Sequence, residues 1–256
     1  MGVLIGLTGE IGSGKSTFAA CLTDDESSHA LYETGMLVAE IGERFNQALK
    51  AEFEFETAPN DTELVNQVLI WLVDAINEQL HHDVTWNQIA ITKHDLLAHP
   101  KLYEKLFIYL KQAHKQPAIL GKRITPKNKE VYRPLLQWIG GYLVAKVSPT
   151  IWYDELMRRV QLRDDDKKLV IVTGVRYPSD AEVIRGQGGY VIAIERPNHS
   201  SDTKDVTEAE RRAIKPDVIV LNNGTVKDLQ KTAEQLWNDL CISKHQAKYT
   251  ALARTP

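Results

Sequence analysis

The chain has few cysteines and no motif that would use them. It contains two, Cys21 and Cys241, and neither belongs to a CxxC pair or to another metal-ligand spacing. A disulfide-rich scaffold and a structural zinc site are therefore not indicated. Two cysteines still permit one disulfide, but this usage suits the reducing cytoplasm, where we expect the protein to reside.

Long apolar runs and a basic excess are also missing. The longest apolar region, residues 64–76, is interrupted by Asn66, Gln67 and Asp74 and is too short to span a bilayer. The net charge of −3 argues against a general binder of polymeric nucleic acid, which usually needs basic residues to displace counterions. We expect no membrane and no nucleic-acid polymer as partner, and a small phosphorylated ligand remains compatible with this charge.

The sequence does contain one clear motif, a glycine-rich segment that ends in lysine, serine and threonine. Residues 9–17 read GEIGSGKST, directly after the apolar stretch 3–8 and before a segment of good helix formers. Glycines let the backbone point successive N–H groups inward, the lysine meets the β- and γ-phosphates, and the serine hydroxyl can ligate Mg²⁺. The motif predicts a nucleoside triphosphate site made of Gly9, Gly12, Ser13, Gly14, Lys15, Ser16 and Thr17, with Ser16 as the metal ligand.

Nearly continuous apolar runs predict the strands of a parallel sheet that is covered on both faces. Four runs are clear, at 3–8, 169–173, 190–195 and 217–221, and residues 29–33 are a weaker candidate for a fifth strand. Because helical patterns alternate with these runs, the predicted class is α/β, with the doubly wound parallel sheet of the P-loop NTPase fold. The helical candidates beside the strands are 15–22, 179–186, 207–213 and 225–240.

The middle of the chain predicts a mostly helical insertion. Apolar residues recur at i, i+3 and i+4 spacing over 61–82, and residues 116–130 form a basic loop with two prolines. We expect a nucleotide-binding core from 1–35 and 163–240, a substrate or lid region from 36–162, and a poorly ordered tail over 241–256.

Missing motifs separate the classes of phosphate-loop protein. A GTPase needs a DxxG switch, and no aspartate here is followed by glycine three residues later. "TKHD" at 92–95 looks like a guanine-reading motif, but without that switch it is better explained as a helix cap. Motor and transporter ATPases usually close a second apolar strand with a carboxylate, whereas 169–173 is followed by Gly174. A small-molecule kinase tolerates this absence best, because the loop hydroxyl, water and phosphates hold its metal.

Such a kinase also needs cations and a reader for its acceptor. Arg176 follows the strand at 169–173, where ligands of open α/β sheets bind. Arg133 and Gln137 are one helical turn apart, and Gly140 on their face would leave room for a ligand. The paired donor and acceptor of Gln137 could read a nucleobase edge. The alternatives are a solvated helix face for Arg133 and Gln137, and a surface ion pair with Asp180 or Glu182 for Arg176.

These residues resemble the deoxynucleoside monophosphate kinases known mainly from bacteriophages. That family shows R-x-x-L-Q-x-x-G-T, a tryptophan, a strand ending T-D-V-R-F-P-N-E, a G-G turn and a strand ending R-P. Here RPLLQWIGGYLVAK (133–146), Trp152 and LVIVTGVRYPSDAEVIRGQGGYVIAIERP (169–197) follow the same order. DVIVLNNGTVKDL (217–229) resembles an element shared with dephospho-CoA kinases, and it implies an adenine loop at Asn223 and Gly224. The opening LIGLTGEIGSGKST is similar to that of dephospho-CoA kinases.

The chain departs from the family at several positions. Gly174 replaces the aspartate of T-D-V-R, Asp180 replaces the glutamate, and Gly141 replaces the threonine of G-T. Lys146 stands about where the family has an arginine, which makes it a candidate substrate contact. The missing carboxylate implies a weakened activity, a different metal ligand or a changed acceptor.

The resemblance and the phosphate loop together predict a kinase that uses ATP and Mg²⁺ and phosphorylates a small nucleotide, most readily a deoxynucleoside monophosphate. Lys15 would follow the γ-phosphate, and Arg176 with Arg133 would bind acceptor phosphate or transition-state charge. The alternatives are a dephospho-CoA kinase, another small-molecule P-loop kinase, or a regulatory protein that binds nucleotide without catalysis. A homodimer is one possible assembly of this protein.

Overall fold

The computed structural model describes residues 2–22, 28–52, 62–98, 100–163, 167–197 and 210–252. In chain order its elements are β1 (Val3–Thr8), α1 (Lys15–Leu22), β2 (His29–Glu33), α2 (Thr34–Glu52), α3 (Thr62–Leu80), α4 (Trp86–Ile89), α5 (Lys93–Ala98), α6 (Pro100–Lys115), a 3₁₀ turn (Pro117–Ile119), α7 (Arg133–Lys146), α8 (Ile151–Arg163), β3 (Leu169–Thr173), α9 (Pro178–Gly186), β4 (Tyr190–Glu195), β5 (Val218–Leu221) and α10 (Val226–Leu252).

The chain divides into two compact units. One comprises Met1–Thr34 with Leu156–Pro256, and the other comprises Gly35–Glu155. The sequence analysis placed the corresponding boundaries after residues 35 and 162. Within the described residues, no helix combines the length and apolar character that a membrane crossing requires.

The first unit is built on a five-stranded sheet in the order β2-β3-β1-β4-β5, with every pairing parallel. This arrangement confirms the predicted α/β class, and residues 29–33 form the fifth strand. The strands β1 and β3 are buried along their whole length because helices cover the sheet. On one face the core contains Ile5, Leu7, Ile171, Ile192 and Ile194 from the strands, with Phe18, Ala19, Leu229 and Ala233 from α1 and α10.

Two sequence predictions at the carboxyl half have different outcomes. The helix predicted at 225–240 continues to Leu252, because no glycine or proline interrupts α10, so the expected tail begins as helix. Of the helix predicted at 207–213, residues 207–209 lie outside the described residues, and residues 210–212 are helical.

The second unit is helical from α2 to α7. The apolar stripe of α3 is buried along Val65, Val68, Leu69, Leu72 and Ile76, as the spacing predicted. Aromatic rings fill the space between α2, α6 and α7: Trp138 stacks on Tyr142 with 4.8 Å between ring centroids, and both are buried beside Phe45 and Tyr103.

A buried amide ties α2 to the segment that follows α6. Asn46 is fully buried, accepts a hydrogen bond from the Tyr109 hydroxyl, and donates to the carbonyls of Ile119 and Lys122 at 3.1 and 3.3 Å. Its own backbone carbonyl accepts from Gly121. A chain segment without regular structure thereby gains fixed partners for its backbone groups.

Replacing Asn46 with alanine should lower the free energy of unfolding by about 2–3 kcal/mol, since the buried Tyr109 hydroxyl would lose its acceptor and the Ile119 and Lys122 carbonyls would each lose a donor. Urea denaturation followed by circular dichroism measures this loss. Tyr109→Phe is the matched comparison and should cost about 1 kcal/mol, because both carbonyl bonds remain. Equal effects of the two changes would show that the amide does not organise this segment.

Candidate nucleotide-binding site

The loop between β1 and α1 adopts a conformation that only glycine tolerates at three positions. Gly9, Gly12 and Gly14 have φ values of 145°, 81° and 101°. A Cβ atom on Gly9 would lie 2.4 Å from the carbonyl oxygen of Ile194, so the loop also passes too close to β4 for a side chain. The loop therefore has the backbone freedom that an anion-binding nest requires.

Two side chains of the loop, Lys15 and Ser13, have surroundings that bear on phosphate binding. The Lys15 ammonium donates to the carbonyls of Gly9 and Glu10, each at 2.7 Å, where the phosphates of a nucleotide would compete for it. Ser13 is buried with 1% exposure, and within the described residues its hydroxyl has no hydrogen-bond partner. An orphaned buried hydroxyl at this point fits a ligand that supplies the missing partner.

The residues present fit Mg²⁺ only if water molecules and phosphate oxygens complete its coordination sphere. Ser16 and Thr17 are exposed in the first turn of α1, and a hydroxyl is a hard oxygen donor of the kind Mg²⁺ prefers. Among the residues that the structure describes, no three histidine, cysteine or carboxylate side chains come together. Ser16 would thus be a single direct protein ligand.

The predicted adenine loop is anchored by a neighbouring residue that sequence reasoning missed. Asn222, not Asn223, donates its side-chain amide to the Ser13 carbonyl at 2.8 Å, which joins the end of β5 to the phosphate loop. Asn223 and Gly224 are exposed beside it. The sequence offered two adjacent asparagines, and only the fold shows which of them turns toward the loop.

Arg176 is held by its backbone rather than by its side chain. The N–H groups of Arg176 and Tyr177 both donate to Asp180 Oδ2 at 2.9 Å, which fixes the turn between β3 and α9. The Arg176 side chain is exposed, and its charge acts on Asp180. Burial raises the pKa of Asp180 to about 6, against the opposing effects of the two N–H donors and of the Arg176 charge, which lower it.

The glycine that replaces the family aspartate has a structural cause. Gly174 has a φ of 90°, and a Cβ atom there would lie 2.7 Å from the Thr34 hydroxyl. Val175, next in the chain, donates to the Leu7 carbonyl and brings the turn back to β1. An aspartate at position 174 would therefore be strained and would collide with the start of α2.

A cavity of about 510 Å³ opens beside the phosphate loop in the same unit. Its walls include Glu10 and Ser13 of the loop, together with Arg196, Arg211 and Arg212. Arg211 donates to Glu10 at 3.1 Å, which holds its guanidinium beside the loop that would bind the phosphates. Sequence analysis assigned no role to these arginines, although the R-P element and the Arg-Arg pair marked their positions.

In the second unit, the predicted acceptor residues Arg133 and Gln137 lie together on the exposed side of α7. Arg133 donates to both carboxylate oxygens of Glu130, an exposed pair that a ligand phosphate could replace at low cost. Gly140 was predicted to leave the space beside them, but it faces Val38 at ordinary contact distance. Gly141 is the open position, with nothing within 4 Å of a Cβ placed there.

Lys146, the remaining predicted substrate contact, is engaged elsewhere. Its ammonium lies 3.3 Å from Asp95 at the start of α5. The "TKHD" segment is a helix cap, as predicted: Thr92 and Asp95 exchange hydrogen bonds through side chain and backbone, each at 3.0 Å. The bonds from Thr92, and then that from Lys146, lower the pKa of Asp95 to about 2.

The left-handed conformation at Gly174 predicts a measurable loss of stability on substitution. Gly174→Ala should lower the free energy of unfolding by about 1–3 kcal/mol, because a Cβ adds both backbone strain and the contact with Thr34. Gly186→Ala at the end of α9 is the matched control, since nothing lies within 4 Å of its Cβ position. Similar denaturation midpoints for both variants would contradict this account.

The raised pKa of Asp180 predicts how stability depends on pH. A carboxyl group with a folded pKa of about 6 stabilises the fold fully below its unfolded pKa near 3.8 and loses that contribution as pH rises to about 6. The free energy of unfolding should thus fall by about 3 kcal/mol across this window. Asp180→Asn keeps the acceptor oxygen for both N–H groups, so its unfolding measured from pH 4 to pH 7 should lack this component. An unchanged slope would refute the assignment.

Comparisons with known proteins agree on one family. A family model described as deoxynucleotide monophosphate kinase matches residues 3–233. A protein of Acanthamoeba polyphaga mimivirus, provisionally described as a deoxynucleotide monophosphate kinase, is 34% identical over 79 residues, which are 30% of this chain and 38% of the relative. The chain thus spans little more than a third of the length of that curated relative.

A solved structure, TT1252 from Thermus thermophilus, has 16% identity and a TM-score of 0.42, and the alignment covers 93% of this chain and 98% of the other. This likeness is too remote for a comparison of sites. The family match spans the phosphate loop, the Arg176 turn, α7 and the β5 loop. By this match over most of its length, the chain belongs to the deoxynucleotide monophosphate kinase family.

Proposed function

We propose that the protein transfers the γ-phosphoryl group of ATP to a deoxynucleoside monophosphate. The observation that carries this proposal is the glycine-built phosphate loop, with Lys15 bonded to its carbonyls and the buried Ser13 hydroxyl without a partner, in a chain that matches the family from residue 3 to residue 233. In the reaction the bond between the β–γ bridging oxygen and the γ-phosphorus breaks. An oxygen of the acceptor phosphate forms the new bond, and ADP leaves.

Each loop residue has a defined part in this reaction. Lys15 exchanges the two loop carbonyls for β- and γ-phosphate oxygens, and the backbone N–H groups from Gly12 to Ser16 surround the phosphates. Ser16 contributes the hydroxyl that would hold Mg²⁺. When bound, the ion neutralises phosphate charge and fixes the phosphate geometry. Asn223 and Gly224, set by the anchor of Asn222, lie beside the adenine.

The acceptor is bound by arginines and read by an amide. Arg176, whose turn Asp180 holds, binds acceptor phosphate or the charge that develops on the transferred group. Arg133 performs the same task from α7 once phosphate displaces Glu130, and Gln137 beside it reads the base. Lys146 would first have to leave Asp95, which makes it the weakest of the predicted contacts.

The setting of the protein also belongs to this proposal. Cys21 and Cys241 are not joined in a disulfide, which is compatible with a reducing cytoplasm. A small nucleotide is the proposed partner, without membrane or nucleic-acid polymer. The homodimer stays a prediction from the sequence analysis.

A coupled assay for ADP formation tests the proposed activity. With Mg²⁺-ATP, at least one of the four deoxynucleoside monophosphates should be turned over, and Lys15→Ala should lower kcat/KM by about 10²–10³-fold because phosphate charge loses its cation. Lys231→Ala, an exposed lysine on α10, is the charge-matched control and should match the unmodified protein.

The acceptor panel decides between the remaining classes. It includes the ribonucleoside monophosphates and dephospho-CoA, and ATP binding is measured in parallel by calorimetry. Turnover of dephospho-CoA alone would assign the chain a different acceptor. Intact ATP binding without turnover of any acceptor would identify a nucleotide-binding regulatory protein.

A further inference from the structure

The phosphate loop has no carboxylate on the strand that usually supplies one. The strand β3 lies directly beside β1, and it ends at Thr173 followed by Gly174. Because position 174 has a φ of 90° and faces the Thr34 hydroxyl, a carboxylate there would require the start of α2 to move. An acidic group that serves Mg²⁺ in this protein would then have to come from another position.

The neighbouring strand ends in such a group. In the register of the sheet, Thr173 is paired with Leu7 of β1 on one side and with Glu33 of β2 on the other. Residues paired in this way point to the same face of a sheet, so Leu7, Thr173 and Glu33 form one row at its carboxyl edge. Glu33 therefore ends the strand beside β3, level with Thr173, the residue that precedes Gly174.

The face of this row is the one that α1 covers. Leu7 and Ile171 pack in the same core cluster as Phe18 of α1. His29, four residues before Glu33 on β2 and therefore on the same face, contacts the ring of Trp237 on α10. The first turn of α1 carries Ser16, and that turn stands at the same edge of the sheet. Strand register and alternation together put the Glu33 carboxylate on the side of the sheet where Mg²⁺ would bind.

Alternation excludes the other candidate at this edge. Glu195 ends β4 on the far side of β1, but Ile192 and Ile194 occupy the α1 face, which directs Glu195 to the opposite face. Four other acidic side chains of this unit are already engaged: Glu10 with Arg211, Asp180 with two backbone N–H groups, Asp217 with Arg185, and Asp228 with Thr225. Glu33 is half-buried, and within the described residues its carboxylate has no hydrogen bond or ion pair.

We propose that Glu33 is a positioning residue for Mg²⁺, which it orients through the water molecules of the ion's hydration shell beside Ser16. Mg²⁺ keeps several waters when protein ligands are few, and a carboxylate that accepts hydrogen bonds from these waters fixes their orientation. This inference rests on the proposed function, since it assigns a residue to the metal of the same nucleotide site.

Binding measurements test the role of Glu33 without any turnover. ATP affinity is measured by calorimetry with Mg²⁺ and with EDTA, and Mg²⁺ is titrated into the ATP complex, for the unmodified protein, Glu33→Gln and Glu33→Asp. Glu33→Gln should raise the Mg²⁺ concentration at half-saturation by about 10–100-fold and leave ATP affinity in EDTA unchanged. Glu33→Asp, which keeps the charge, should recover part of the loss. Glu182→Gln, an exposed glutamate on α9, is the matched control and should not differ from the unmodified protein.

Two results would overturn the inference. One is an unchanged Mg²⁺ dependence in Glu33→Gln. The other is an equal loss of ATP affinity in EDTA, which would show a general structural role for the side chain. Because these readouts are equilibrium constants, they remain decisive even if the assay for ADP formation shows no acceptor turnover. A failure of the proposed kinase activity and a failure of the Glu33 assignment are thus seen in separate experiments.

Discussion

The parallel register of β2, β3, β1 and β4 is the constraint on which the nucleotide site depends. Apolar side chains are buried on both faces of these strands, and a slip of one residue would move each side chain to the opposite face, away from its packing partners. Their carboxyl ends consequently meet at one edge. The phosphate loop, the Arg176 turn and the row that ends in Glu33 all belong to that edge, although they come from distant parts of the sequence.

At this edge of the sheet, the backbone conformation limits which residue types can be present at the site. The loop glycines are open to φ values that other residues avoid, and so is Gly174. In the loop this freedom makes room for phosphate. At position 174 it makes the turn that returns Val175 to β1, and it leaves no room for the aspartate of the family. The glycine at position 174 looks like the loss of a catalytic group, but the local backbone geometry also requires it.

The helical unit follows a different principle. Its aromatic residues and the Asn46 network are buried, so Arg133 and Gln137 remain on the exposed side of α7 and are available to a ligand. Gly141 leaves open space next to Gln137 on the following turn. Rigid packing on one side of this helix and open space on the other are what an acceptor site built on a helix requires.

Much of this protein was determined by the sequence alone. Continuous apolar runs specify four of the strands, with 29–33 only a weaker candidate, and the glycine, lysine and serine spacing specifies the phosphate loop, because both signals are local. Tertiary structure decided what depends on contacts between distant residues. It placed Asn222 rather than Asn223 on the loop, Gly141 rather than Gly140 in open space, and Glu33 in register with Thr173. Spacing along the chain cannot reveal these neighbours, since they are created by strand pairing and helix packing.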